Sequence, residues 1–308
     1  FTSNDKYLLI YDVFCRWKFD PKMKQKPVMM TRGKGRADKN RFRYLKLDRE
    51  AHEIKLDEKI YLRCFNEETM KAGYAMINEG SDNDPDILFQ TKNQYYSIIK
   101  AKDVEAFVYR KADYREYPDI YYSGSDLKDA VKISDANPQA KNYLWGDAQL
   151  VNWKSFEGKD LKGILLTPEN LDKNKKYPVI VYFYEQNSEG LYRYYPPSPS
   201  RSVINFPMYN SNGYVIFIPD ITYKTGYPGQ SAYDAIVSGT EYIIDKYKFV
   251  DKDRIGLQGQ SWGGYQVAWL ITRTDRFRAA MAGAPVSNMT SAYGGIRWGS
   301  GLSRMFQY

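Results

Sequence analysis

Ser261 lies in Gly259-Gln260-Ser261-Trp262-Gly263-Gly264, a G-x-S-x-G spacing that suits a serine nucleophile. The glycines permit a turn so tight that the serine takes a strained backbone conformation and lifts its hydroxyl above a sheet. The apolar stretch Arg254-Ile255-Gly256-Leu257-Gln258 enters this turn as a buried strand would. Tyr265 to Thr274 leaves it with Val267, Ala268, Leu270 and Ile271 at helical spacing. A helix that starts here aims its first amides, Trp262's foremost, and its positive dipole end at a developing oxyanion. The chemistry implied is acyl transfer through Ser261. A bare G-x-S-x-G recurs by accident in Gly/Ser-rich loops, so the strand before, the helix after and the second glycine at 264 give the motif its weight.

A serine hydroxyl needs a base to attack. On a strand-turn-helix elbow the partners follow along the chain in the order serine, Asp or Glu, then histidine. The chain holds one histidine, His52, far upstream of Ser261. Downstream, 47 residues contain no histidine and a single carboxylate, Asp275, too close to the elbow to be the triad acid. Two readings follow: a pseudoenzyme, or a fragment whose C-terminal part holds the acid and base. A start at Phe1 without methionine and an end at Gln307-Tyr308 after an uncapped segment favour the fragment.

The elements that must position Ser261 fall in the second half of the chain. Ala148–Trp153 and Leu161–Thr167, joined across Glu157-Gly158, read as an antiparallel entry hairpin. Residues 179–184 (VIVYFY) and 213–219 (GYVIFIP) are continuous apolar runs of the kind buried on both faces. A Pro- and Ser-rich loop, Pro196 to Ser202, and a short helix separate them. Ser231 to Tyr247 has helical spacing, and Ala279–Ala284 follows the elbow helix as another strand. Strands alternating with helices predict a mostly parallel α/β sheet with its site at the strands' carboxyl ends.

Residues 1–146 differ. Short strand-like segments recur between polar turns, among them Tyr7–Trp17, Arg41–Leu47, Ile60–Phe65, Gly73–Ile77, Tyr95–Ile99, Ala106–Arg110, Ile120–Tyr122 and Val131–Ile133. They imply a sandwich, barrel or propeller. At some 40 to 50 residues per four-stranded blade, this stretch holds about three propeller blades, too few to close a ring. The expected organisation is a partial β-propeller over residues 1–146 and the first part of an α/β domain over 147–308.

Composition excludes several classes. With 43% hydrophobic residues, global disorder is ruled out. No run of about 18 apolar residues marks a membrane span. Cys15 and Cys64 are too few and too distant for a disulfide framework or metal site, and they read as packed thiols. The net charge of +8 invites nucleic acid. However, nine Lys/Arg crowd between Pro21 and Arg43, among Pro21, Pro27, Gly33 and Gly35, as in a solvated loop. Gly33-Lys34-Gly35 lacks the spacing of a phosphate-binding loop. No nucleic acid, cofactor or metal is expected.

Four segments together resemble a known family: Tyr177-Pro-Val-Ile-Val-Tyr-Phe-Tyr184, Asp220 through Gly226-Tyr227-Pro228-Gly229, Gly259 through Tyr265, and Ala284-Pro285-Val286-Ser287. In order and spacing they look like the prolyl oligopeptidase family of serine peptidases, on the dipeptidyl-peptidase IV and acylaminoacyl-peptidase side. The resemblance covers roughly residues 145 to 300, and is only architectural before that. It implies an α/β-hydrolase fold, truncated here, preceded by a β-propeller that screens substrate size. It further implies a peptide substrate, with Ser261 acylated, and oxyanion donors in the Trp262 amide and the Tyr184 hydroxyl. Read without the resemblance, Tyr184 is a core aromatic on a buried strand.

Departures accompany it. Trp262 stands where tyrosine is more usual in that branch, and Glu185-Gln186-Asn187 replaces a Gly or Ala. Val286, Asn288, Tyr293 and Trp298 are the nearest candidates for the substrate pocket. Glu67-Glu68 faintly echoes the family's acidic pair for a free amino group, but its polar setting reads as a solvated turn. An esterase on the same fold and a non-catalytic peptide-binding protein stay open beside the peptidase. So do a homodimer and the compartment, with a periplasmic or secreted bacterial setting favoured over the cytoplasm.

Overall fold

The computed structural model describes residues 1–304 except 49, 79–83, 125, 126 and 201. Two compact units are present: Phe1–Asn142 with Tyr192–Tyr194, and Tyr143–Leu191 with Tyr195–Tyr308.

Among the described residues the first unit holds three antiparallel meanders, each with its strands paired in chain order. The first contains Leu8–Tyr11, Arg16–Phe19 and Val28–Met29. The second contains Asn40–Tyr44, Ile60–Asn66, Ala72–Ile77 and Asp86–Thr91. The third contains Gln94–Lys100, Phe107–Ala112, Asp119–Ser123 and Val131–Lys132. Aromatic residues fill the core: Tyr61, Tyr74, Tyr95, Phe107 and Tyr109 are buried in one cluster. Tyr74 meets Phe89 edge-on at 5.6 Å and Tyr109 at 6.0 Å, the geometry favoured by ring quadrupoles. Four of the 29 tyrosines are buried in this cluster.

The segment Tyr7–Trp17 is a hairpin rather than one strand. Asp12 makes the turn: its carboxylate accepts from the amides of Phe14 (2.8 Å) and Cys15 (2.5 Å) and from Trp17 Nε1 (3.0 Å). Local side-chain acceptors of this kind compete with strand pairing. The basic stretch also contains a short helix, Lys34–Ala37.

In the second unit one six-stranded sheet is formed by β1 (Asp147–Lys154), β2 (Asp160–Thr167), β3 (Tyr177–Tyr182), β4 (Val215–Pro219), β5 (Val250–Gln260) and β6 (Ala279–Gly283). Their spatial order is β1-β2-β4-β3-β5-β6. The β1–β2 and β2–β4 pairs are antiparallel, and β4–β3, β3–β5 and β5–β6 are parallel. The chain is therefore β-rich first and α/β second.

Among the described residues this unit has four α-helices: α1 (Phe206–Ser211), α2 (Pro228–Lys246), α3 (Trp262–Leu270) and α4 (Met289–Tyr293). Proline opens α2, where its missing amide costs nothing. That helix buries Ala232, Ala235, Ile236 and Ile243 against Trp153, Leu165 and Phe217 of the sheet. Ser238 Oγ accepts from Trp153 Nε1 at 3.0 Å, so the buried indole is satisfied. At the other side of the sheet β6 is an edge, with Ala279, Ala280 and Met281 exposed.

Candidate active site

Ser261 joins β5 to α3 with φ 59° and ψ −109°. A non-glycine residue in this region stores roughly 1–3 kcal/mol of strain, held by its surroundings. Three glycines supply those surroundings. An added Cβ would lie 2.4 Å from the Gly263 oxygen at Gly259, 2.5 Å from the Phe183 oxygen at Gly263 and 2.5 Å from the Gly283 oxygen at Gly264. The Ser261 amide donates to the Gly283 carbonyl at 2.9 Å, and its own carbonyl accepts from the Tyr265 amide at 3.0 Å. Ala284, at the end of neighbouring β6, also has positive φ, 37°. Trp262 is the first residue of α3, so its amide belongs to the N-terminal turn whose dipole favours negative charge.

Tyr184 stands two residues past the end of β3, in register beside β5 through Tyr182 and Gln258. It is 41% exposed, not buried in the core as its apolar run suggests. The loop after it is clasped by Asp220, which follows β4. The Asp220 carboxylate accepts from the amides of Asn187 (2.6 Å) and Ser188 (3.0 Å), while the Ile221 amide donates to the Glu185 carbonyl at 2.9 Å. Burial pushes the Asp220 carboxyl above the ordinary carboxylate range, against the lowering effect of those amides.

Tyr223 ties this loop to the elbow. Its hydroxyl donates to the Tyr184 carbonyl at 3.0 Å and accepts from Trp262 Nε1 at 3.0 Å. Gln266, fully buried, stands against the same hydroxyl. Its Nε2 donates to that hydroxyl, which thus accepts twice and donates once. Burial pushes the Tyr223 hydroxyl up to about 12, so it stays protonated and able to donate.

Other candidates fall elsewhere. Val286 is half-buried, on a segment that reaches the elbow: Pro285 Cα lies 3.0 Å from where Gly264 would carry a Cβ. Asn288 caps α4, accepting from the Ser291 amide at 3.0 Å. Tyr293 is half exposed and Trp298 is 98% exposed. Glu67 and Glu68 form a turn after Ile60–Asn66, with Glu67 paired to Arg41 Nε at 3.2 Å. His52 is an exposed residue of the first unit. Among the described residues no His/Cys/Asp/Glu group could hold a metal, and no helix is long and apolar enough to cross a membrane.

Tyr223 and Gln266 escaped the sequence reading. Gln266 left a signal: it falls four residues after Trp262, on the same helix face. A buried polar residue there needs partners. Tyr223 left only its place between Asp220 and Gly226.

Comparison with known proteins finds similarity in sequence and in fold. Residues 200–300 match the prolyl oligopeptidase family, Peptidase_S9. Human dipeptidyl peptidase 8 is 32% identical over 156 residues, covering 45% of this chain and 17% of that protein. Dipeptidyl-peptidase 5 of Porphyromonas gingivalis is 30% identical over 200 residues, 58% of this chain and 27% of that protein. An acylaminoacyl peptidase solved with Z-Gly-Gly-Phe-chloromethyl ketone superposes with a TM-score of 0.67 at 17% identity, over 97% of this chain and 46% of that one. Porphyromonas gingivalis dipeptidyl peptidase 4 gives a TM-score of 0.64 at 16% identity, over 92% and 40%. These two structures establish the fold, a propeller-type β unit followed by an α/β-hydrolase unit. The chain spans less than half the length of the relatives it matches. Over residues 200–300 the chain is similar in sequence to the prolyl oligopeptidase family of serine peptidases, and its fold is that of the solved acylaminoacyl and dipeptidyl peptidases.

Proposed function

We propose that this chain is part of a peptidase that cleaves short peptides through an acyl-enzyme on Ser261. Segments outside these 308 residues supply the acid and base. The single observation that carries this is the Ser261 backbone, held at φ 59° between a buried strand and a helix N-terminus. In the reaction a histidine takes the Ser261 proton as Oγ attacks the scissile carbonyl. The Trp262 amide and Tyr184 hydroxyl then hold the oxyanion, the amine leaves with the proton, and water repeats the sequence on the acyl-enzyme. Donors fixed before the reaction cost no reorganisation, and each is worth about 3 kcal/mol in the transition state.

The test is hydrolysis by the longer protein that contains this chain, with Ser261→Ala beside it, on dipeptidyl and N-acyl-aminoacyl chromogenic amides and the matching esters. Ser261-dependent amide hydrolysis is expected, and the 308-residue chain alone should give none. Turnover confined to esters points instead to an esterase, and binding without turnover to a non-catalytic protein.

A further inference from the structure

Tyr223 joins the two residues assigned to the oxyanion hole, through atoms other than the donors themselves. Its hydroxyl holds the main chain of Tyr184 through that residue's carbonyl (3.0 Å) and the side chain of Trp262 through Nε1 (3.0 Å). The rings of Tyr223 and Trp262 meet edge-on at 6.4 Å, and Trp262 stacks on Tyr265 at 5.0 Å. Gln266 donates to the same hydroxyl from the buried side. A tyrosine hydroxyl has one donor and two acceptor positions. This one therefore fixes a loop and a helix start with a single atom.

We infer that Tyr223 is a positioning residue for the oxyanion hole, which locks the Tyr184 loop and the Trp262 helix start in one geometry. The inference rests on the peptidase reading above. Phenylalanine at this position keeps the ring and its packing but removes the bridge, freeing the Tyr184 main chain to move relative to the elbow. Because the oxyanion forms only in the transition state, looser donors lower kcat and leave substrate binding nearly unchanged. No proton is transferred by Tyr223.

The experiment uses the longer protein containing this chain, compared as wild type, Tyr223→Phe, Tyr184→Phe and the double variant. Tyr223→Phe should lower kcat about tenfold to a hundredfold, with KM within about twofold. A peptidyl boronic acid, which mimics the tetrahedral adduct, should lose affinity by a similar factor, whereas a product peptide should not. The double variant should lose less than the product of the two single losses, because Tyr223 acts largely through Tyr184. If Tyr223→Phe does not fold, Trp262→Phe removes the same bridge from its other end and should show the same split. A normal kcat and boronate affinity in the folded variants, even with a lowered melting temperature, would overturn the positioning role. Absence of Ser261-dependent turnover in the wild type sinks the peptidase reading and this role with it. Failure of Tyr223→Phe to differ from an active wild type sinks this role alone.

Discussion

Gly263 presses its α-carbon against the carbonyl of Phe183, so closely that a Cβ there would stand 2.5 Å from that oxygen and 3.7 Å from Tyr184 Cα. The start of α3 and the end of β3 are thereby in backbone contact. Phe183 is held against α3 by main chain, and the next residue, Tyr184, is held through its carbonyl by Tyr223.

Gly263→Ala should therefore act on both stability and catalysis. Forcing a methyl into this contact costs about 1–3 kcal/mol, since neither partner is a flexible side chain. A urea midpoint lowered by a corresponding amount is expected, with reduced Ser261 acylation. An unchanged midpoint would show that the contact is not held in solution.

Tyr184→Phe separates an oxyanion donor from a packing residue. Tyr184 is substantially exposed, so loss of its hydroxyl should barely change stability. In the full-length protein kcat should fall about 10²-fold or more with KM little altered. A near-normal kcat would leave only the Trp262 amide in that role.

Asp220 gives a pH signature. Its folded carboxyl titrates above the ordinary value of 3.8 because of burial, so the folded state binds the proton more tightly than the unfolded one. The associated stability is present below 3.8 and is lost as pH rises through the folded value. Asp220→Asn, which cannot ionise, should flatten that part of the stability curve measured by urea unfolding. Asp220→Ala leaves the Asn187 and Ser188 amides without their acceptor, at about 1–3 kcal/mol. A curve for Asp220→Asn that parallels the wild type would refute the assignment.

Ser261→Gly should raise stability while abolishing acyl-enzyme formation, because glycine adopts φ 59° without strain. A gain of about 1 kcal/mol is expected relative to Ser261→Ala, which keeps the Cβ. Equal stability of the two variants would mean that the elbow stores no strain.

The sequence revealed the elbow because its requirements are local: glycines at fixed offsets, an apolar strand before and helical spacing after. The hairpin β1–β2 and the helix α2 were legible for the same reason. Tyr7–Trp17 misled because hydrophobic runs do not show a turn made by one carboxylate, that of Asp12. Tyr184 reads as the last residue of a buried strand, yet β3 ends at Tyr182, the Phe183 amide makes one more bond to the Gln258 carbonyl, and Tyr184 is exposed. Nothing local announces that Tyr223 meets Trp262, 39 residues away. Contacts of that kind depend on sheet order, which places β3 between β4 and β5.

The edge strand β6 has a practical consequence. Its outer backbone row has no neighbour among the described strands, and Ala279, Ala280 and Met281 beside it are exposed. Such an edge is a template for pairing with another copy, particularly where the residues are small, uncharged and free of proline. Produced alone, the 308-residue chain should aggregate through this strand at micromolar concentration. A lysine at Met281 should keep it monodisperse by light scattering. Material for inhibitor or antibody work is therefore better made from the longer protein than from this segment.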